Sequence, residues 1–153
     1  MSVRDCFELP VTGACAQSAR GYNDYVSEFL SYGANIRGLF AIADANEGSA
    51  LINAHAAALH LAFEGAEGWA AATPYLARMQ TTEDKATDRE RLFCSAVSAW
   101  AAQDFNKALA LIDELTVRWP ADLCAIKWGQ YHAFNLGDQA ALLRLGQRAA
   151  IVH

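Results

Sequence analysis

The chain is short of the residues that build sheets and of those that staple small folds. Valine and isoleucine supply six residues each out of 153, against 32 alanines and 16 leucines. That ratio favours helix over strand. The four cysteines, Cys6, Cys15, Cys94 and Cys124, form no CxxC pair, which speaks against a disulfide framework. Cys94 and Cys124 sit in apolar, helical surroundings and read as small core residues. No run of 18 uncharged apolar residues occurs. The most apolar stretch, Leu51 to Phe63, is interrupted by Asn53, His55 and His60, as suits a buried helix and not a membrane span. Basic residues are outnumbered, 12 to 17, and a pI near 5.3 excludes nucleic-acid binding by bulk positive charge. Arg4, Asp5 and Glu8 deny the first ten residues the apolar core of a secretory signal. The expectation is a cytoplasmic protein with neither membrane nor nucleic-acid partner.

What is present is apolar residues, 54% of the chain, spaced for helices. Residues 1–15 read as an irregular segment broken by Pro10 and Gly13, and 16–153 as one helical domain. A first helix over about 17–32 puts Tyr22, Val26, Phe29 and Leu30 on one face. Gly33 and Asn35 stop it. Two more helices span about 36–45 and 50–64, the latter capped by Ser49. Gly65 and Gly68 bracket a turn before a helix over 69–79. The stretch Gln80 to Arg91 reads as a solvated polar connection with an exposed, mixed-charge first turn. The last helices span about 85–103, 106–118 and 121–136, and one runs from near Asp138 past Ala150. Pro120 marks a break, and Asp122 is placed to cap the helix after it.

A period emerges when the turns are aligned. Gln103-Asp104 and Gly137-Asp138 lie 34 residues apart. Small residues at Ala58, Ala70, Ala96, Ala108, Ala133 and Gly146 then mark close helix crossings, and Leu61, Ile112, Leu115 and Ile126 fill the space between pairs. A 34-residue period with small crossing positions is the pattern of tetratricopeptide repeats. No single helix pair buries its apolar face, so pairs must stack. The expected fold is all-α, a right-handed superhelical stack of about three and a half antiparallel helix pairs.

The run Asp88-Arg89-Glu90-Arg91, then Ala96, Trp100, Asp104 and Ala108, then Trp119-Pro120-Ala121-Asp122-Leu123 and Phe134-Asn135-Leu136-Gly137-Asp138, resembles the tetratricopeptide group that contains StaR and tetratricopeptide repeat protein 38. The likeness extends from about Gly33 onward. Two features depart from it: Gln103 stands at the turn glycine, and no Asp-Pro occurs near Asp44. Members of the group are much longer, so the resemblance implies their amino-terminal part. It implies the fold and transfers no catalytic residue.

Chemistry is harder to find. His55 and His60 are five apart, on different helix faces, and make a poor metal pair; His132 and His153 stand alone. No HExxH, phosphate-binding glycine loop or GxSxG is present. The sequence therefore points away from an enzyme and names no cofactor and no metal ligand. In a tetratricopeptide frame the first helix of each pair lines a concave groove. That assigns His55, Leu59 and Phe63 in one unit, Glu90, Phe93, Val97 and Trp100 in the next, and Cys124, Lys127, Tyr131, Phe134 and Asn135 in the last. Such a surface, aromatic and sparsely charged, suits an apolar or aromatic peptide. The expected role is a non-catalytic protein-interaction or scaffolding module, with a small-ligand or regulatory accessory of a biosynthetic pathway as the alternative. Leu142, Leu143, Leu145, Ala149, Ala150 and Ile151 leave the last helix without a polar cap, so this edge is expected to dock, either on a second copy as a homo-oligomer or on further repeats.

Overall fold

The computed structural model describes residues 3–152; His153 lies outside them. Eight α-helices are described: α1 (Ala16–Ser31), α2 (Gly38–Asp44), α3 (Ala50–Ala62), α4 (Gly65–Thr82), α5 (Asp88–Ala101), α6 (Phe105–Arg118), α7 (Leu123–Leu136) and α8 (Gln139–Val152). Helix α3 packs on α4 and α5, α6 on α5 and α7, and α8 on α7, while α1 lies against α2 and α7. Among the described residues no helix is long and apolar enough to cross a membrane.

The caps explain most boundaries. Ser49, Asp104, Asp122 and Asp138 accept hydrogen bonds from free amides at the starts of α3, α6, α7 and α8. Thr87 and Glu90 form a reciprocal capping box, which starts α5 at Asp88, three residues later than the sequence suggested. The turns after α5 and α7 match: Gln103 and Gly137 occupy left-handed backbone at φ 62° and 71°. The amides of Asp104 and Asp138 return to the carbonyls of Ala99 and Ala133. The 34-residue register therefore corresponds to a repeated turn.

Four expectations need correction. Residues 1–15 are not irregular throughout: Val3–Arg4 (β1) pairs antiparallel with Pro10–Val11 (β2), and Val11 and Asp5 are buried. Gly65 and Gly68 lie inside α4. A Cβ at Gly68 would stand 2.5 Å from the His60 carbonyl oxygen, so glycine is required there by proximity. The close crossings differ in part. Ala58, Ala96, Ala108 and Ala133 are buried as expected, but Ala70 is exposed and Gly146 meets nothing closer than 3.6 Å. The tight position on α7 is Gly129, where a Cβ would come within 2.9 Å of both Ile112 and Leu145. Finally, the charged first turn of α5 is only half solvated: Asp88 and Arg91 are exposed, and the two residues between them are not. Arg89 is 2% exposed and Glu90 fully buried.

Candidate functional site

The helix face expected to form the groove is buried. His55, Leu59, Glu90, Phe93, Val97 and Cys124 each lie at 3% exposure or less. The amino-terminal segment supplies the cover. Thr12 donates through its amide and hydroxyl to the two carboxylate oxygens of Glu90, at 2.7 Å each, and Thr87 adds two more bonds. Arg89 pairs with Asp122 at 2.6 Å and also donates to the Pro10 carbonyl. Helix α1 brings Tyr22 and Tyr25 to the two ring nitrogens of His55, at 3.2 and 3.1 Å. Trp128, which can only donate, reaches Nδ1 at 3.4 Å, so the His55 proton sits on Nε2 and is given to Tyr22. Burial holds the His55 pKa down, to about 3. At the end of α1, Lys127 donates to the Phe29 carbonyl and lies over the rings of Phe29 and Tyr32. These residues are a core and a clasp.

The open site lies at the other end of the same helices, where the turns converge. A cavity of about 820 Å³ is walled by Leu61 from α3, Trp69 from α4, Trp100 from α5, Phe105 from α6, and Tyr131, His132, Asn135 and Leu136 from α7. Glu64 and Gln103 enter from the turns. Of the twelve residues assigned to a groove, Trp100, Tyr131 and Asn135 meet here. Phe63 is set apart beneath the Arg37 guanidinium, and Phe134 is 74% exposed, outside the wall. Helical spacing found the aromatic positions but could not tell which end of the groove the amino terminus would fill.

Three features distinguish the cavity from ordinary packing. The Nε2 of His132 is buried without a partner, although its ring stands edge-on to Trp100 at 4.5 Å. Burial pushes its pKa down to about 4, so the imidazole is neutral at pH 7. The Tyr131 hydroxyl donates to Glu64 at 3.2 Å; burial first, and the Glu64 carboxylate second, raise its pKa above the ordinary phenol value. Glu64 and Gln103 both carry positive φ, 57° and 62°. Glu64, with ψ 162°, stands in a region left almost entirely to glycine. None of the three is visible in the sequence beyond one hint, a glutamine where the turn calls for glycine.

Among the described residues, no group of three His, Cys, Asp or Glu side chains is arranged to hold a metal ion. Comparison with protein-family models, curated proteins and solved structures finds no match to this chain.

Proposed function

We propose that the chain is a non-catalytic binding module whose site is the cavity at the turn end, and that its ligand is a small aromatic or apolar molecule. The observation that carries this reading is the unpartnered His132 nitrogen in an aromatic wall. A buried polar atom costs free energy unless something bonds it, and the residue that carries this one lines the cavity. The volume supports it, since small-molecule sites occupy about 300–1,000 Å³. Strain at Glu64 and Gln103 points the same way, because strained residues cluster at binding sites. A peptide lying along the concave face, the first expectation from sequence, finds less support, since the amino-terminal segment lies there.

The same proposal takes the eight helices as a tetratricopeptide-like right-handed stack related to the StaR group. Two of the motifs behind that resemblance are physical partners: Arg89 of the Arg-Glu-Arg run pairs with Asp122 of the Pro-x-Asp step. The matched turns at Gln103 and Gly137 add to it.

Nile red, a neutral apolar dye of suitable size, tests the site. Its emission should rise and saturate at one equivalent, and Ala66→Trp, an exposed residue at the cavity mouth, should abolish the rise without lowering the Tm. An unchanged dye spectrum, or equal binding by the variant, removes the reading.

One observation favours a protein partner as well. Leu143 and Ile151 are 63% and 86% exposed, while Leu145 of the same helix is buried. This is the pattern expected if α8 docks on a second copy. Light scattering across a wide concentration range tests it, and a strict monomer throughout counts against it.

A further inference from the structure

The composition of the cavity wall narrows the chemistry of what it holds. It includes one carboxylate, Glu64, and neither lysine nor arginine. The aromatic rings of Trp69, Trp100, Phe105 and Tyr131 surround the same space. An anion entering it would meet Glu64 with no cation to offset the repulsion. A neutral molecule would leave that carboxylate with the Tyr131 hydroxyl at 3.2 Å and nothing else gained. A cation gains from the carboxylate and from the negative faces of the rings together. We propose that the site takes an organic cation joined to an aromatic body, its nitrogen held by Glu64 and the rings, its body in the apolar part of the wall. The inference rests on the ligand-binding reading above and adds the charge.

The backbone gives an independent reason to regard Glu64 as retained for its side chain. At φ 57° and ψ 162° a glycine would hold the turn at lower cost, and the next residue, Gly65, shows that glycine fits this segment. A strained position filled by a carboxylate, in a cavity otherwise free of charge, is a specific arrangement. His132 agrees with it, since its neutral imidazole adds no positive charge to compete with a cation. The rejection of anions comes from the same wall, whose one charge repels them and which offers in return only neutral donors such as the Gln103 and Asn135 amides.

Three indoles of one shape and different charge separate the possibilities: tryptamine, tryptophol and indole-3-acetate, titrated by calorimetry at pH 7. Tryptamine should bind at least tenfold more tightly than tryptophol, and indole-3-acetate most weakly. Glu64→Gly removes the carboxylate while easing the turn. It should lower tryptamine affinity to that of tryptophol, leave tryptophol unchanged, and not reduce the Tm. Equal affinity for the amine and the alcohol overturns the cationic assignment and leaves the pocket standing, as does an amine preference that survives in Glu64→Gly. Silence from all three indoles where Nile red still saturates also overturns it. Silence from Nile red as well takes down the pocket reading on which it rests.

Discussion

His55 and His132 make the contrast between the two ends of this molecule concrete. Both are buried to 1% exposure, and burial depresses the pKa of both. Yet His55 has partners on each ring nitrogen, supplied by Tyr22, Tyr25 and Trp128, whereas Nε2 of His132 has none. Around His55 the polar groups are closely matched: Glu90 accepts four hydrogen bonds and Arg89 meets Asp122 and Pro10, with only its Nε left over. Around His132 lie a cavity and two residues in backbone conformations that glycine would hold more cheaply. Each end leaves a buried nitrogen unpaired, Arg89 Nε at the closed end and His132 Nε2 at the open one, and positive φ occurs at Glu8 and Tyr32 as well as at Glu64 and Gln103. What sets the open end apart is its aromatic-walled cavity and Glu64 in backbone left almost entirely to glycine. A cost left standing in a folded chain is a better pointer to function than apolarity alone.

Breaking the closed end should have the largest effect. Asp122→Ala strips Arg89 of its charge partner and α7 of its cap, and breaking a buried pair from one side costs about 3–5 kcal/mol. Urea unfolding should show that loss. Nile red binding, measured where the variant is still folded, should be unchanged, because Asp122 takes no part in the cavity wall. A loss of a few tenths of a kcal/mol would mean that water replaces the partner and that the end is not closed.

Acid acts on both ends. The folded pKa values of His55 and His132, about 3 and about 4, lie below the ordinary 6.5. The unfolded chain therefore takes up protons that the native chain refuses as pH falls below 6.5. Stability is full above 6.5 and declines toward the folded values. Between pH 6.5 and 4.5 the loss is on the order of 2–3 kcal/mol per histidine, with a smaller share from half-buried His60. His132→Leu should remove one of the two main contributions and roughly halve the slope of urea midpoint against pH. An unaltered slope would mean that His132 charges freely in the native state.

Much of this architecture was legible in the sequence because it is local. Caps at Ser49 and Asp122 are read from residue type and position, and Leu61, Ile112 and Leu115 from spacing. What the sequence could not show depends on contacts across long separations. Arg89 and Glu90 look like surface charge until Asp122, Pro10 and Thr12 are brought to them from 33 to 79 residues away. Residues assigned to the groove, His55, Leu59 and Phe93 among them, are buried for the same reason. A helical period identifies which face of α3, α5 and α7 points inward, but not that α1 will lie upon it. Gly129 and Gly68 were missed as close crossings because alanine is so abundant that many registers offer small residues. The cavity was half visible, through Trp100, Tyr131 and Asn135. Glu64 and Gln103 come from turns, where periodicity carries no information.

The smallest expected effect is also the sharpest test of the contrast, because the chain contains its own control. Gln103 and Gly137 occupy the same position in equivalent turns 34 residues apart, with matching hydrogen bonds and similar φ. Gly137 bears no side chain, and a Cβ there would meet nothing within 4 Å. Gln103 accepts the left-handed conformation at a cost of about 1 kcal/mol relative to glycine, and its side chain lines the cavity. Gln103→Gly should therefore raise stability by up to about 1 kcal/mol in urea unfolding and weaken Nile red binding at the same time. The reciprocal Gly137→Gln should cost a similar amount and leave the dye untouched. If Gln103→Gly stabilises the fold and binding is unaffected, the strain at this turn is incidental, and the open end loses one of its two claims to be built for a ligand. If stability and binding move in opposite directions, the glutamine is there for the cavity and not for the turn.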